Sequence, residues 1–175
     1  MFLLNEKVVY PGHGVAEIVG IVEKIVSGQK MNYYELKFLS KDMTALVPTT
    51  SEGETPIRPI SSHKTIQDAL CILTQPARRL HSYEFTASCW NKRNKEYQIK
   101  LRTGGLHELS EIYRDLFFMG AQKELSFGEK TLLQQVESLL AEEISLVEES
   151  GHEKAIQYLR SLCAKPFKTF NVSAQ

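Results

Sequence analysis

The pattern of apolar residues changes near residue 60. Before it they cluster in short β-prone runs cut by turn formers; after it they recur every three or four positions. Lys7-Val8-Val9-Tyr10 is the first run, stopped by Pro11-Gly12-His13-Gly14. A run rich in Val and Ile, Val15 to Val26, ends at the turn Ser27-Gly28-Gln29. Tyr33 to Leu39 follows, and after Lys41-Asp42 comes Met43 to Val47, closed by Pro48. Strand-length runs separated by Gly, Pro, Ser and Asp, with no helical period, predict a small antiparallel sheet or barrel. So small a sheet must close or pack on something to protect its edges. Between Ser51 and Ser62, Ser, Glu, Gly, Thr and Pro accumulate, and Pro56 and Pro59 exclude a helix; the stretch reads as a linker.

From Ser61 onward the period is helical. Ile66, Ala69, Leu70 and Leu73 fall on one face of a short helix capped by Ser61 or Ser62, with Pro76 beyond its end. A second helix is predicted from Thr86 to Thr103, stopped by Gly104-Gly105. A third runs from Leu106 to about Met119, with Leu109, Ile112, Tyr113 and Leu116 inward and Gly120 ending it. The fourth opens with Ser126-Phe127-Gly128-Glu129, the pattern of a capping box. Its stripe is Leu132, Leu133, Val136, Leu139, Leu140, Ile144 and Val147, and Gly151 closes it. A last helix, His152 to Cys163, carries Ala155, Ile156, Leu159 and Leu162.

The fold class is therefore α+β: a small N-terminal antiparallel β module followed by an all-α bundle of about five helices. The expected boundaries are residues 1–52 for the β module, 53–62 for the linker, 63–163 for the helical domain and 164–175 for a loose tail.

Composition narrows the function classes. The chain is 42% hydrophobic and 24% charged, as ordinary globular proteins are, and long enough to bury one sizeable core or two small ones. No run approaches the roughly 18 apolar residues that a membrane span needs. Met1 to Lys7 lacks the basic start and apolar stretch of a signal peptide. Cys71, Cys89 and Cys163 are odd in number and widely spaced, so neither a disulfide framework nor a zinc site is expected, and a reducing cytoplasm fits. Cys71 is expected on the apolar side of its helix. The histidines His13, His63, His81, His107 and His152 have no metal or triad spacing, so no catalytic residue, metal or cofactor is expected. Pro11-Gly12-His13-Gly14 lacks the spacing and the following helix of a phosphate loop and reads as a tight turn.

Net charge is zero, but its distribution is uneven. From Arg78 to Arg102 seven bases (Arg78, Arg79, Lys92, Arg93, Lys95, Lys100 and Arg102) oppose only Glu84 and Glu96. From Thr103 to Glu153 eleven acids oppose three bases. The basic helix is expected to meet phosphates and the acidic face to point away from them. Trp90 opens the basic stretch as Trp90-Asn91-Lys92-Arg93-Asn94-Lys95. An aromatic flanked by bases can wedge into an opened base step, whereas the spacing of Trp90, Tyr97 and Leu101 equally fits a core stripe.

Several of these segments resemble one family. Lys7 to Ala16 looks like the start of the CarD/CdnL/TRCF RNA-polymerase-interacting module, and Val47-Pro48 sits where its last strand motif ends. Trp90-Asn91-Lys92-Arg93 resembles the signature of the CarD-type DNA-binding helix. Tyr113-Arg114-Asp115-Leu116 and Leu125 to Lys130 are similar to two further runs of the family. The likeness spans roughly Met1 to Leu162 in the family's order.

The resemblance implies a Tudor-like N-terminal module that binds the β subunit of RNA polymerase, with Lys24, Leu46, Val47 and Pro48 at the contact. It implies a helical domain touching promoter DNA at the upstream edge of the melted region, in the minor groove and independently of sequence. There Trp90 is the wedge against re-annealing, and Lys92, Arg93 and Lys95 are the phosphate contacts. The protein would then be a monomeric, non-enzymatic regulator that stabilises the open promoter complex. Leu46 and Lys24 stand where the family often has arginine, which predicts a less electrostatic polymerase contact, and Asn94 replaces an often aromatic residue. The alternative is an adaptor that binds polymerase without touching DNA.

Overall fold

The computed structural model describes residues 2–49, 56–77 and 86–164. The expectations for residues 50–55, for Arg78, Arg79 and Glu84, and for the tail from residue 165 fall outside these.

Strands β1 (Lys7–Tyr10), β2 (Gly14–Val26), β3 (Gln29–Phe38), β4 (Thr44–Pro48) and β5 (Arg58–Pro59) form one antiparallel sheet, in the order β4-β3-β2-β1-β5. The third strand starts four residues earlier than its apolar run. Ser27 and Gly28, both at positive φ, close a two-residue hairpin turn, so the ladder continues from Val26 straight to Gln29. β4 runs through Pro48, which an edge strand tolerates. The Thr49 N–H donates to Asn32 O, so by alternation the nitrogen of Pro48 faces the open edge. The short β5 lies inside the stretch read as a linker and pairs Val8 with Pro59 and Val9 with Arg58.

The sheet buries both sides near its base. Val8, Ala16, Ile18, Tyr34, Leu36, Phe38, Val47 and Ile57 form its core. A bulge between Ile18 and Gly20 shifts the register and leaves Val19 exposed. On the other side, Val9 and Val15 are buried against Leu109 and Leu139 of the helical part, around a narrow gap.

Helices α1 (His63–Leu73), α2 (Ala87–Thr103), α3 (Leu106–Gln122), α4 (Phe127–Val147) and α5 (His152–Ala164) share one apolar core. Ile112, Tyr113, Leu116 and Leu140 are fully buried in it, each apolar side chain worth roughly 1.5–3 kcal/mol over exposure. Ser62 caps α1, accepting from the Thr65 N–H. The predicted capping box is formed: Ser126 Oγ accepts from Glu129 N–H, and the Glu129 carboxylate accepts from Ser126 N–H.

Three helical expectations are corrected. Gly120 does not end α3, which continues to Gln122, because Leu125 folds back against Gly120 and covers that last turn. Gly151 does not close α4; the helix ends at Val147, and Glu149 takes the left-handed conformation beyond it. Cys71 is exposed, since α1 buries Ile66, Ala69, Leu70, Ile72 and Leu73 and turns the cysteine outward.

The two parts are docked closely through Pro11-Gly12-His13-Gly14. Gly104, left-handed at φ 65, ends α2 directly on Pro11; a Cβ there would sit 2.7 Å from Pro11 Cβ. Gly14, at φ 111, lets the Glu142 carboxylate approach its backbone closely. The Gln135 side chain donates to Gly12 O at 3.3 Å. Arg58 completes the seam. Its guanidinium gives two 2.7 Å hydrogen bonds to the Glu143 carboxylate and two more, of 2.9 and 2.7 Å, to Gly104 O. Glu143 also accepts from Ser61 N–H.

Candidate nucleic-acid and polymerase interfaces

Helix α2 carries few apolar residues, and its burial follows from their spacing. Tyr97 and Leu101 enter the core, while Trp90 sits at the core's rim, partly exposed. The indole lies over the first turn of α4: a Cβ on Gly128 would be 3.5 Å from Trp90 Cζ2. Ser88, Lys92, Lys95, Ile99 and Arg102, spaced four and three apart, share the opposite face and are all exposed. Two lysines and an arginine thus stand along one solvent stripe, while the partly exposed Trp90 lies on the other side of the helix, toward its N-terminal end. Lys100 leaves the stripe and pairs with Glu111, whose carboxyl is held below the ordinary value chiefly by that lysine's hydrogen bond.

Arg93 is placed differently from its neighbours. Its side chain is 16% exposed and its guanidinium lies 3.7 Å from Glu129 Oε1. Glu129 is itself buried, with Lys123 Nζ at 2.9 Å and the Ser126 N–H donating at 2.8 Å. Burial works to raise the Glu129 carboxyl, but the Ser126 N–H and Lys123 outweigh it, and its pKa lies below the ordinary value. Arg93, Glu129, Lys123 and the capping box together pin α2 to the start of α4, directly under Trp90. Of the residues expected to grip phosphate, Lys92 and Lys95 face solvent and Arg93 faces Glu129.

The expected polymerase contacts divide by sheet face. Cross-strand partners share a face, and the register pairs Lys24 with Met31, Val22 with Tyr33 and Pro48, and Glu35 with Leu46. Lys24, Leu46 and Pro48 therefore lie on one face together with Val22, Met31 and Tyr33. Leu46 is 39% exposed and Lys24 is exposed. Val47 points the other way, 2% exposed in the sheet core. β4 is the outermost described strand on its side of the sheet.

Sequence reasoning missed the acids that work inside the fold. Glu129, Glu137, Glu142 and Glu143 are buried, so the acidic stretch is not a uniformly solvated face. The reason is position: Glu129, Val136 and Glu143 recur every seven residues on the apolar stripe of α4, where a charge must find a partner. Glu137 takes the Tyr113 hydroxyl and a two-pronged contact from Arg160. Burial pushes Glu142 above the ordinary carboxylate value, against the opposing Ser40 hydroxyl and Val15 N–H. The stripe spacing was the available signal for Glu129 and Glu143; for Arg58, between two prolines, there was none. Phe127, 86% exposed beside Gly128, was also not singled out.

Among the described residues no group of His, Cys, Asp and Glu is arranged to hold a metal ion, and no helix is long and apolar enough to cross a membrane.

Two family models match the chain in succession: the CarD-like/TRCF RID domain over residues 2–61 and the CarD C-terminal domain over residues 79–160. A curated relative from Bacillus subtilis (strain 168), described as "Putative transcription factor YdeB", is 29% identical over 147 residues, which covers 84% of this chain and 92% of that one. With an RID-type β module followed by a CarD-type helical domain, the chain belongs to the CarD/CdnL family of non-enzymatic transcription regulators.

Proposed function

We propose that this protein binds the β subunit of RNA polymerase through its β module and holds promoter DNA open through α2. The observation that carries the reading is the solvent stripe of Lys92, Lys95 and Arg102 together with a partly exposed Trp90 near the N-terminal end of the same helix, whose other end is fixed to the β module by Gly104 and Pro11. Polymerase docks on the face of Lys24, Leu46, Val22, Met31 and Tyr33, with the Leu46 N–H and C=O and the Pro48 C=O at the open β4 edge available for strand pairing, while Val47 anchors the strand to β3. Apolar area dominates that face, in keeping with leucine at position 46.

The close docking then sets where α2 falls on the DNA. The lysines contact backbone phosphates without reading sequence, and the exposed part of the Trp90 indole lodges in the minor groove at the upstream edge of the bubble, opposing re-annealing. Arg93 reinforces this mainly by holding α2 on α4. Weak DNA contact suffices, because tethering to polymerase makes the DNA step effectively intramolecular. The open state gains only the difference in affinity between open and closed DNA; about 1.4 kcal/mol lengthens it tenfold. One monomer per polymerase accounts for both contacts.

The adaptor reading also has an observation in its favour, since Trp90 packs on the core and Arg93 turns to Glu129. A photo-crosslinking residue in place of Lys92, carried into polymerase–promoter complexes, separates the two. The DNA-contacting reading predicts crosslinks at the upstream edge of the melted region. Polymerase binding with no DNA crosslink establishes the adaptor.

A further inference from the structure

Phe127 is the most exposed large hydrophobic side chain among the described residues, at 86%. Single exposed apolar residues are common on protein surfaces and need no explanation of their own. Its position distinguishes this one. Phe127 is the first residue of α4, and the next residue, Gly128, lies under the Trp90 indole. The same turn is held against α2 by Arg93 and Glu129, so Phe127 is fixed near Trp90 by a rigid seam and not by a loop. Around it, the exposed Lys130 pairs with Glu124 and the buried charge of Glu129 is neutralised by Lys123, while Lys92 and Lys95 stand exposed on the far side of α2. Nothing in the core needs an aromatic there. A melted strand whose junction is held by Trp90 would bring its bases within the neighbourhood of this ring.

We propose that Phe127 is a second base-stacking residue of the interface, packing on an unpaired nucleobase of the melted strand while Trp90 holds the junction. The inference rests on the open-complex reading above and adds to it a residue and a chemical target. An aromatic face serves because every base has a π-face, so such a contact is tolerant of sequence. Phe127 is thus a DNA-binding residue that acts only once a base is unpaired, which favours open over closed DNA.

The test is the lifetime of heparin-challenged open complexes formed with cognate polymerase and the full chain, comparing Phe127→Ala, Phe127→Leu, Phe127→Tyr and Trp90→Ala. Stacking predicts that Phe127→Ala and Phe127→Leu shorten the lifetime several-fold, that Phe127→Tyr keeps it, and that polymerase binding is unchanged in all three. If Trp90→Ala shortens the lifetime but Phe127→Ala does not, the stacking role is wrong and the open-complex reading survives. Equal lifetimes for the leucine and tyrosine variants also overturn aromatic stacking. If Trp90→Ala has no effect, the underlying reading fails and this inference with it.

Discussion

Arg58 and Glu143 meet through two 2.7 Å hydrogen bonds, and they join the short fifth strand to the C-terminal part of α4. The pair lies in the seam between the two parts of the protein, with Glu143 almost fully buried and Arg58 mostly so. Removing one partner strands the other's charge, which costs about 3–5 kcal/mol. Arg58→Ala is therefore expected to lower thermal stability strongly and to let the β module and helical bundle separate, read as increased proteolysis between them. An Arg58→Ala protein that melts and resists proteolysis like wild type contradicts this role.

The exposed stripe of α2 makes a salt-dependence prediction. Each phosphate contact contributes a slope of about −0.9 in log affinity against log salt. Replacing Lys92 and Lys95 together by Ala should lessen that slope by about two and weaken DNA association similarly on all promoter sequences. Both side chains are exposed, so stability should hold. An unchanged salt slope would place the phosphate contacts elsewhere.

On the β module, Lys24→Ala combined with Leu46→Ala should reduce capture of the polymerase β subunit while leaving melting of the helical bundle unchanged. The two residues share an outer face whose loss does not touch the Val8, Leu36 and Val47 core. Undiminished capture would move the polymerase contact off this face.

Buried carboxylates give the protein a directional response to acid. Glu129 and Glu137 have folded-state pKa values below the ordinary 4.5, where burial is outweighed by Ser126 and Lys123 in one case and by Arg160 and Tyr113 in the other. Their stabilisation is present above 4.5 and is lost as pH falls below it through their folded values. Glu142, raised by burial, acts oppositely: the native state gains stability as pH falls toward 4.5 through its folded value. Melting temperature should hold or rise from about pH 7 to about pH 5 and drop below about 4.5. A steady decline beginning at neutral pH would contradict these assignments.

Local signals made much of the fold legible. Ser126 and Glu129 announced the start of α4, Ser27-Gly28 the β2–β3 turn, and Gly104 the end of α2, because caps and turns depend on residues adjacent in sequence. What stayed hidden depends on long-range partners. Arg58 looked like part of a linker until its contact with Glu143, 85 positions away, was in place. Arg93 read as one base among several, yet its buried position beside Glu129 follows from how α2 packs on α4. Cys71 shows the limit of helical spacing, since one residue of rotation separates the buried Leu70 and Ile72 from an exposed thiol.

The central claim is that α2 stabilises melted promoter DNA through Trp90, and the lifetime of open complexes under heparin challenge tests it most directly. With cognate polymerase, the wild-type chain should lengthen that lifetime several-fold, and Trp90→Ala, folded and still bound to polymerase, should lose the effect. A lifetime that does not respond to the wild-type chain, despite confirmed polymerase binding, would contradict the account and leave the basic stripe an ordinary solvated helix face.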